Sequence, residues 1–385
     1  MKTRKICFSI LFTLLISTAA FSQDADTTKT FTLSGSIDVY ARTSLGTTNS
    51  ALGGYGPSSA FAQLKGFSLG MANLIASYNG EKAGFVADLV FGPRGTDAVF
   101  NSQVSGGSYS SQRIINQLYG YVKLGDVVTL NMGQFNTFLG YEVISPTVNV
   151  NYSTSYLFSY GPFTHTGLRA DFDFGNGMSA KLAVMNPTDM LEFNPVNTYT
   201  IGAQIGKTTD AGGVWLNLIY GDQDGKLDTD VDPNGSESAG SLFQIDLTTG
   251  WSLSDNFYLG FNTSYQTIGE GKFVNGNRIQ DLGNDATSFF GVAVYPKLTL
   301  SENFALGLRG EYFSIKKGHL GIIGLDNSGD GNVVEFTLSG NYSVGNLMII
   351  PEIRLDKTSE NSFEKRDGDA TDSMVSALLA AVYRF

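Results

Sequence analysis

The chain is poor in several residue types, and each shortage closes off a class of function. It has one cysteine, two histidines, two tryptophans and nine prolines in 385 residues. Cys7 lies in the first apolar stretch, so a chain cut after residue 22 carries no thiol. Disulfides, thiolate metal sites and cysteine nucleophiles are then excluded. His165 and His319 are the only histidines. A Ser–His hydrolase needs a histidine beside its nucleophile and a third group to orient it, and no such grouping stands out. Charged residues make up 16% of the chain, against about 25% in ordinary soluble domains. Beyond the amino terminus no run of 18 or more residues is continuously apolar, so no membrane-crossing helix is expected. Acidic residues outnumber basic ones by 36 to 25, which speaks against a nucleic-acid partner.

What the chain does have is glycine, phenylalanine and tyrosine, at 46, 27 and 18 residues. The first 22 residues read as a leader. Lys2, Arg4 and Lys5 precede the apolar run "ICFSILFTLLIS", and Ala20 and Ser22 occupy the small-residue positions before a cut at Gln23. The run is too short to span a bilayer comfortably. Its cysteine is far from the cut, unlike that of a lipoprotein. Cleavage leaves 22 basic and 36 acidic residues, a net charge of −14. The expected organisation is a signal peptide over 1–22, a short lead-in over 23–32 and one domain over 33–385.

That domain alternates with a period of two almost throughout. In "VVEFTLSGNYSV", Val334, Phe336, Leu338, Gly340, Tyr342 and Val344 share one face, and Glu335, Thr337, Ser339 and Asn341 share the other. Leu168, Ala170, Phe172 and Phe174 alternate in the same way with Arg169, Asp171 and Asp173. No segment after the leader has a helical period. Short turns carrying Gly, Asn or Asp occur at 78–82, 124–126, 175–178, 209–213, 254–256, 301–303 and 344–346. Longer polar connections lie near 43–63, 93–113, 141–163, 188–197, 224–240, 270–286, 317–331 and 359–372. Seven short and eight long connections imply about 16 strands. Their regular alternation matches a transmembrane antiparallel β-barrel with short periplasmic turns and long extracellular loops.

In such a barrel the apolar parity faces lipid and the polar parity lines the lumen. The expected pore-lining set is Asp38, Arg42, Asp88, Arg94, His165, Arg169, Asp171, Asp173, Arg309, Glu311, Glu335, Glu352 and Arg354. Asp246 and Asp356 share that parity. Lys65, Lys123, Lys181 and Lys297 add to the basic side of the wall, which comes out nearly balanced in charge. Aromatics near strand ends suggest interfacial girdles: Tyr40, Tyr78, Phe91, Trp251, Phe257, Tyr295, Phe304, Tyr342 and Tyr383. The final strand, ending "AAVYRF", is expected to pair with the first and close the sheet. Closure leaves no edge strand.

Three stretches carry a family resemblance. "MGQFNTFLGYEVISPTVNVNYSTSYLFSYGPFTHTGLRADF" (132–172), "GFVADLVFGPRG" (84–95) and "AVMNP" (183–187) resemble the beta-barrel porin-2 (OmpL-like) family. The terminal Phe385 is also similar to the carboxy-terminal signal for insertion of such barrels. The resemblance implies an outer-membrane porin with no catalytic residue. It would form a water-filled channel for passive diffusion of small hydrophilic solutes, in contact with outer-membrane lipids. Porins of this size are commonly homotrimers, an analogy only. The alternatives are a substrate-selective channel for sugars or peptides, and a non-transport surface barrel such as an adhesin or scaffold. The long connection 141–163 is the expected constriction, with Tyr152, Tyr156, Phe158 and Tyr160 packing inward.

No cofactor is indicated. Gly-rich "GGYGPSS" lacks a phosphate-loop lysine and opens no helix. "DNSGDGN" (326–332) imitates the start of a calcium loop but puts Thr337 where a bidentate acid belongs, so a plain turn is expected. The acidic stretch 221–235 could bridge divalent cations to lipid headgroups, the one metal role the sequence offers.

Overall fold

The computed structural model describes residues 29–51, 54–55, 61–99, 114–191, 194, 199–221, 240–270, 272–275, 278–281, 285–318 and 323–385. His319, most of the acidic stretch 221–235 and the leader lie outside them.

Sixteen antiparallel strands close into a barrel. In chain order they are β1 (Thr30–Leu45), β2 (Gly66–Asn79), β3 (Ala83–Phe91), β4 (Ile115–Lys123), β5 (Val128–Asn136), β6 (Thr164–Gly175), β7 (Met178–Met185) and β8 (Thr200–Thr209). The second half is β9 (Gly212–Gly221), β10 (Leu242–Ser252), β11 (Phe257–Ile268), β12 (Thr287–Ser301), β13 (Phe304–Lys316), β14 (Gly331–Val344), β15 (Leu347–Thr358) and β16 (Ser373–Arg384). Every strand pairs with its sequence neighbours, and β16 pairs with β1 from Ser36↔Arg384 to Leu45↔Val375. Gly35 N donates to Phe385 O at 3.1 Å and Phe385 N donates to Gly35 O at 3.0 Å. The carboxy-terminal residue is thus built into the seam. In lipid this matters, because an unpaired backbone group there has no water to turn to.

Side-chain exposure follows the alternation. Leu338 is 50% exposed while its neighbour Ser339 is at 0%. The outward face presents Leu, Ile, Val and aromatic side chains, and the inward face is mostly polar. A register shift between Ile37 and Val39 marks a bulge in β2, where Gly70 and Met71 stand against the single residue Asp38. There the Met71 N–H donates to Asp38 Oδ1 at 3.1 Å. The bulge thus gives the inward carboxylate a backbone donor, the kind of local re-aiming that bulges supply.

Three sequence expectations need correction. Tyr40 and Tyr295 are not girdle residues: both are buried, on the inward parity they share with Asp38 and Ala293. Among the described residues the connections contain two short helices that no periodicity announced, α1 (Pro93–Ala98) and α2 (Tyr156–Tyr160). Each is a turn or so long, too short for a 3.6-residue pattern to register. Finally, β1 already begins at Thr30, within the expected lead-in.

Candidate pore and its inward-folded segment

Twelve of the thirteen residues expected to line the lumen sit on barrel strands. Asp38 and Arg42 sit on β1, Asp88 on β3, His165, Arg169, Asp171 and Asp173 on β6, Arg309 and Glu311 on β13, Glu335 on β14, and Glu352 and Arg354 on β15. Arg94 is the exception. It lies on α1, and its guanidinium donates to Ile144 O at 2.8 Å and to Tyr152 O at 3.3 Å. It also stacks over the rings of Phe61 and Tyr152, at 4.6 and 5.0 Å. Lys65 is exposed in the connection before β2, not on the wall.

The connection expected over 141–163 begins earlier, at residue 137, because β5 ends at Asn136. It folds into the barrel. Tyr152 and Tyr156 are completely buried, Tyr160 nearly so, and Phe158 half-buried. Carboxylates fasten this segment by accepting its backbone N–H groups. Glu352 takes those of Tyr152 (2.8 Å) and Ser153 (3.2 Å). Glu311 takes those of Tyr156 (2.8 Å) and Leu157 (2.7 Å), the first residues of α2. Asp246 takes that of Gly140 at 3.0 Å, and Glu142, on the segment itself, takes that of Ser155 at 2.7 Å. Such bonds are charge-assisted and about twice as strong as neutral ones. They also answer the demand that an irregular chain satisfy its backbone donors at membrane depth.

Tyrosine hydroxyls and arginines complete the fastening. Tyr152 OH donates to Asp38, and Tyr156 OH donates to Asp356 at 2.9 Å. Arg354 donates to Thr154 O at 2.7 Å and pairs with Asp356 at 2.8 Å. Arg309, at 0% exposure, bridges the segment and the wall: 2.8 Å to Glu142, 2.9 Å to Glu335, and a bond to Ser153 O at 2.6 Å. Two wall carboxylates instead rest on neutral donors. Asp88 accepts from Asn73, Asn116 and Gln117, and Asp246 also accepts from Asn217 and Asn262.

Apolar contacts fill the rest. Tyr141, Val150, Tyr156, Leu157 and Tyr160 pack against Phe289, Tyr295 and Phe313 of the wall. Phe138 and Leu139 pack with Phe135, Met185 and Ile219. The aromatic faces of the segment are turned into packing, with the Tyr160 ring 4.6 Å from that of Phe313 and the Tyr152 ring 5.6 Å from that of Tyr40. His165 is buried between Phe135 and Phe138, with Nε2 3.0 Å from Thr137 Oγ1. Its surroundings are those of a packed side chain.

At the short-turn end the described residues leave a recess beside the β5–β6 part of the wall. Lys123, Asp126, Thr129, Asp171 and Asp173 border a cavity of about 390 Å³ there. Asp171 in turn holds Arg169 bidentately, with that guanidinium stacked 4.5 Å over Phe135, and lies 3.4 Å from Lys181 Nζ. At the far side, a cavity of about 10 Å³ remains between Arg42, Ser153, Glu352 and Arg354, the size of one water. The 326–332 turn closes on itself: Asp326 accepts from the Ser328 and Asp330 N–H groups, and Asp330 pairs with Lys316. No group of three or more acidic or histidine side chains is arranged to hold a metal among the described residues.

Glu142, Asp246 and Phe138 were not singled out from the sequence as holding the segment. An acid inside the apolar stretch "LGYEVI" was the one available signal for Glu142.

Known structures share this architecture at low identity. The outer-membrane channel DcaP of Acinetobacter baumannii aligns over 94% of this chain and 99% of its own, with 13% identity and a TM-score of 0.58. OmpT of Vibrio cholerae aligns over 95% and 100%, with 11% identity and a TM-score of 0.56. OprB of Pseudomonas putida aligns over 93% and 94%, with 12% identity and a TM-score of 0.53. No curated protein matches the chain in sequence. The family model described as "Putative beta-barrel porin-2, OmpL-like" matches residues 30–385, the whole barrel from its first strand to its last residue, and the chain belongs to this family of outer-membrane porins.

Proposed function

We propose that this porin conducts small hydrophilic solutes passively, through a lumen narrowed by residues 137–163. The observation that carries the reading is the division of the closed sheet into an apolar outer face and a polar inner face. A polar wall, a constriction and an open path are all that passive diffusion needs; no bond chemistry is involved. Wall residues such as Asp171, at the recess of the short-turn end, and its partners Arg169 and Lys181 are the ones a solute would meet. Planar-bilayer recordings test this: discrete ohmic steps are expected, and a folded barrel that never conducts would overturn it.

The burial of the wall from β9 round to β1 favours a second reading, a substrate-selective channel. Liposome uptake separates the two. Diffusion gives rates that fall smoothly with solute size and do not saturate, whereas a selective channel saturates with one solute class. The same proposal includes export through a leader cut before Gln23, which sequencing of the mature amino terminus would check. It also includes a homotrimer, the form in which a Vibrio cholerae OmpT structure is described, and divalent cations at the external acidic connection.

A further inference from the structure

Glycine inside a strand forfeits side-chain packing, and it often marks a place where another group approaches closely. Four glycines on the lumenal parity sit where the inward segment touches the wall. A Cβ at Gly202 (β8) would lie 2.6 Å from Phe138 Cζ, and one at Gly291 (β12) 2.5 Å from Leu157 Cδ2. At Gly307 (β13) it would lie 2.5 Å from Val150 Cγ1, and at Gly260 (β11) it would run into the Tyr141 ring. None of the four has the positive φ that would call for glycine on backbone grounds. Only the approaching side chain explains them. By contrast, Gly310 faces outward, and a Cβ there would meet nothing closer than Phe336 at 3.4 Å.

We infer that Gly202, Gly260, Gly291 and Gly307 are sockets that seat residues 137–163 inside the barrel and thereby set the size of solute that passes. The sockets follow the segment round the wall. Phe138 docks on β8, Gly140 N–H on Asp246 of β10, Tyr141 on β11, Val150 on β13, and Leu157 on β12. Each socket lets a bulky side chain lie against bare backbone, so the segment sits deeper than a wall of ordinary side chains would permit. The carboxylate bonds then fix its backbone in that position. Filling a socket pushes the segment toward the lumen axis or out of the barrel while leaving the strand ladder intact. The four glycines are positioning residues for the constriction.

Gly291→Leu and Gly260→Leu test the idea, with Gly291→Ala as the milder variant and Gly310→Leu as the outward-facing control. Heat-modifiable gel migration identifies folded protein. Each variant carries Thr154→Cys, a fully buried position on the segment, in a Cys7→Ser background, and reacts with a charged thiol reagent in detergent. Labelling at least tenfold faster than in the parent is expected for the socket variants and not for Gly310→Leu. Conductance at least twofold above the parent and a larger solute-exclusion limit should accompany it. Combining Gly291→Leu with Leu157→Ala moves the bulk from plug to wall and should restore slow labelling. Folded socket variants that label and conduct like the parent would overturn the inference, as would an equal gain in Gly310→Leu. The conductance arm alone rests on the diffusion reading: faster labelling with no conductance in any variant would uphold the sockets and overturn the channel.

Discussion

Leu338→Arg measures directly which face meets lipid and how deep. Leu338 is the eighth of fourteen residues in β14 and is flanked in register by Leu308 of β13 and Ile353 of β15. All three are exposed on the outer surface. Val344, on the same face, is the last residue of the strand. Six residues at about 3.4 Å each separate them along the strand, or about 15 Å along the membrane normal at a tilt near 40°. Val344 at the rim therefore places Leu338 close to the middle of an apolar band about 25 Å tall. Arginine costs roughly 2–4 kcal/mol at that depth and about 0–1 kcal/mol near the interface. Leu338→Arg should reduce the folding equilibrium constant on the order of 30- to 1,000-fold, and Val344→Arg less than about 10-fold. Guanidinium unfolding in lipid vesicles, followed by the fluorescence of Trp215 and Trp251, provides the assay. Equal destabilisation by the two arginines would show that the depth assignment, and with it the outward parity of β14, is wrong.

Three further outcomes follow from the buried and external charges. Arg309→Met leaves Glu142 without a cation and Glu335 with only Arg354, at 3.7 Å, and should cost about 3–5 kcal/mol of stability in the same assay; adding Glu335→Gln should recover part of the loss, and a neutral single variant would refute the network. Burial raises the Asp189 carboxyl from its ordinary 3.8 to about 6, against two backbone N–H bonds from Phe163 and Thr164 that act the other way. The folded protein therefore holds that proton more tightly than the unfolded chain, so this group's stabilisation is full below about pH 4 and is lost as pH rises to about 6. Asp189→Asn should remove a component of up to roughly 3 kcal/mol from the pH dependence across that window; parallel wild-type and variant profiles would exclude it. Finally, reversal potentials across a KCl gradient should show a modest cation preference that weakens with salt, since among the described residues no ring of one sign lines the lumen; near-ideal selectivity for either sign would contradict that.

Much of this protein was decided by local pattern. Alternation with a period of two is a property of neighbouring residues, so the faces of β14 and β6 could be read before any pairing was known. Turn chemistry is equally local, and the alternation of short and long connections counted the strands. The seam at Phe385 followed from the same reasoning, because a closed sheet is the arrangement that leaves no edge in lipid.

Tertiary structure alone decided what the inward parity does. Asp38, Glu311 and Glu352 were legible as lumenal acids, but not as the acceptors that hold Tyr152, Tyr156 and Leu157, which are 114 to 200 residues away in sequence. Arg94 has the composition of a wall residue and instead braces the segment from α1, because a connection's path depends on where it finds donors and apolar contacts. Tyr40 and Tyr295 looked interfacial because aromatics near strand ends usually are; the parity Tyr40 shares with Asp38 was the local sign against it, and the packing of Tyr152 and Tyr141 against the two rings shows what their interior place is for. The lumenal glycines were the most silent of all. A glycine in a strand carries no sign of what will fill the space it leaves, and the side chain that does so comes from a distant, irregular part of the chain.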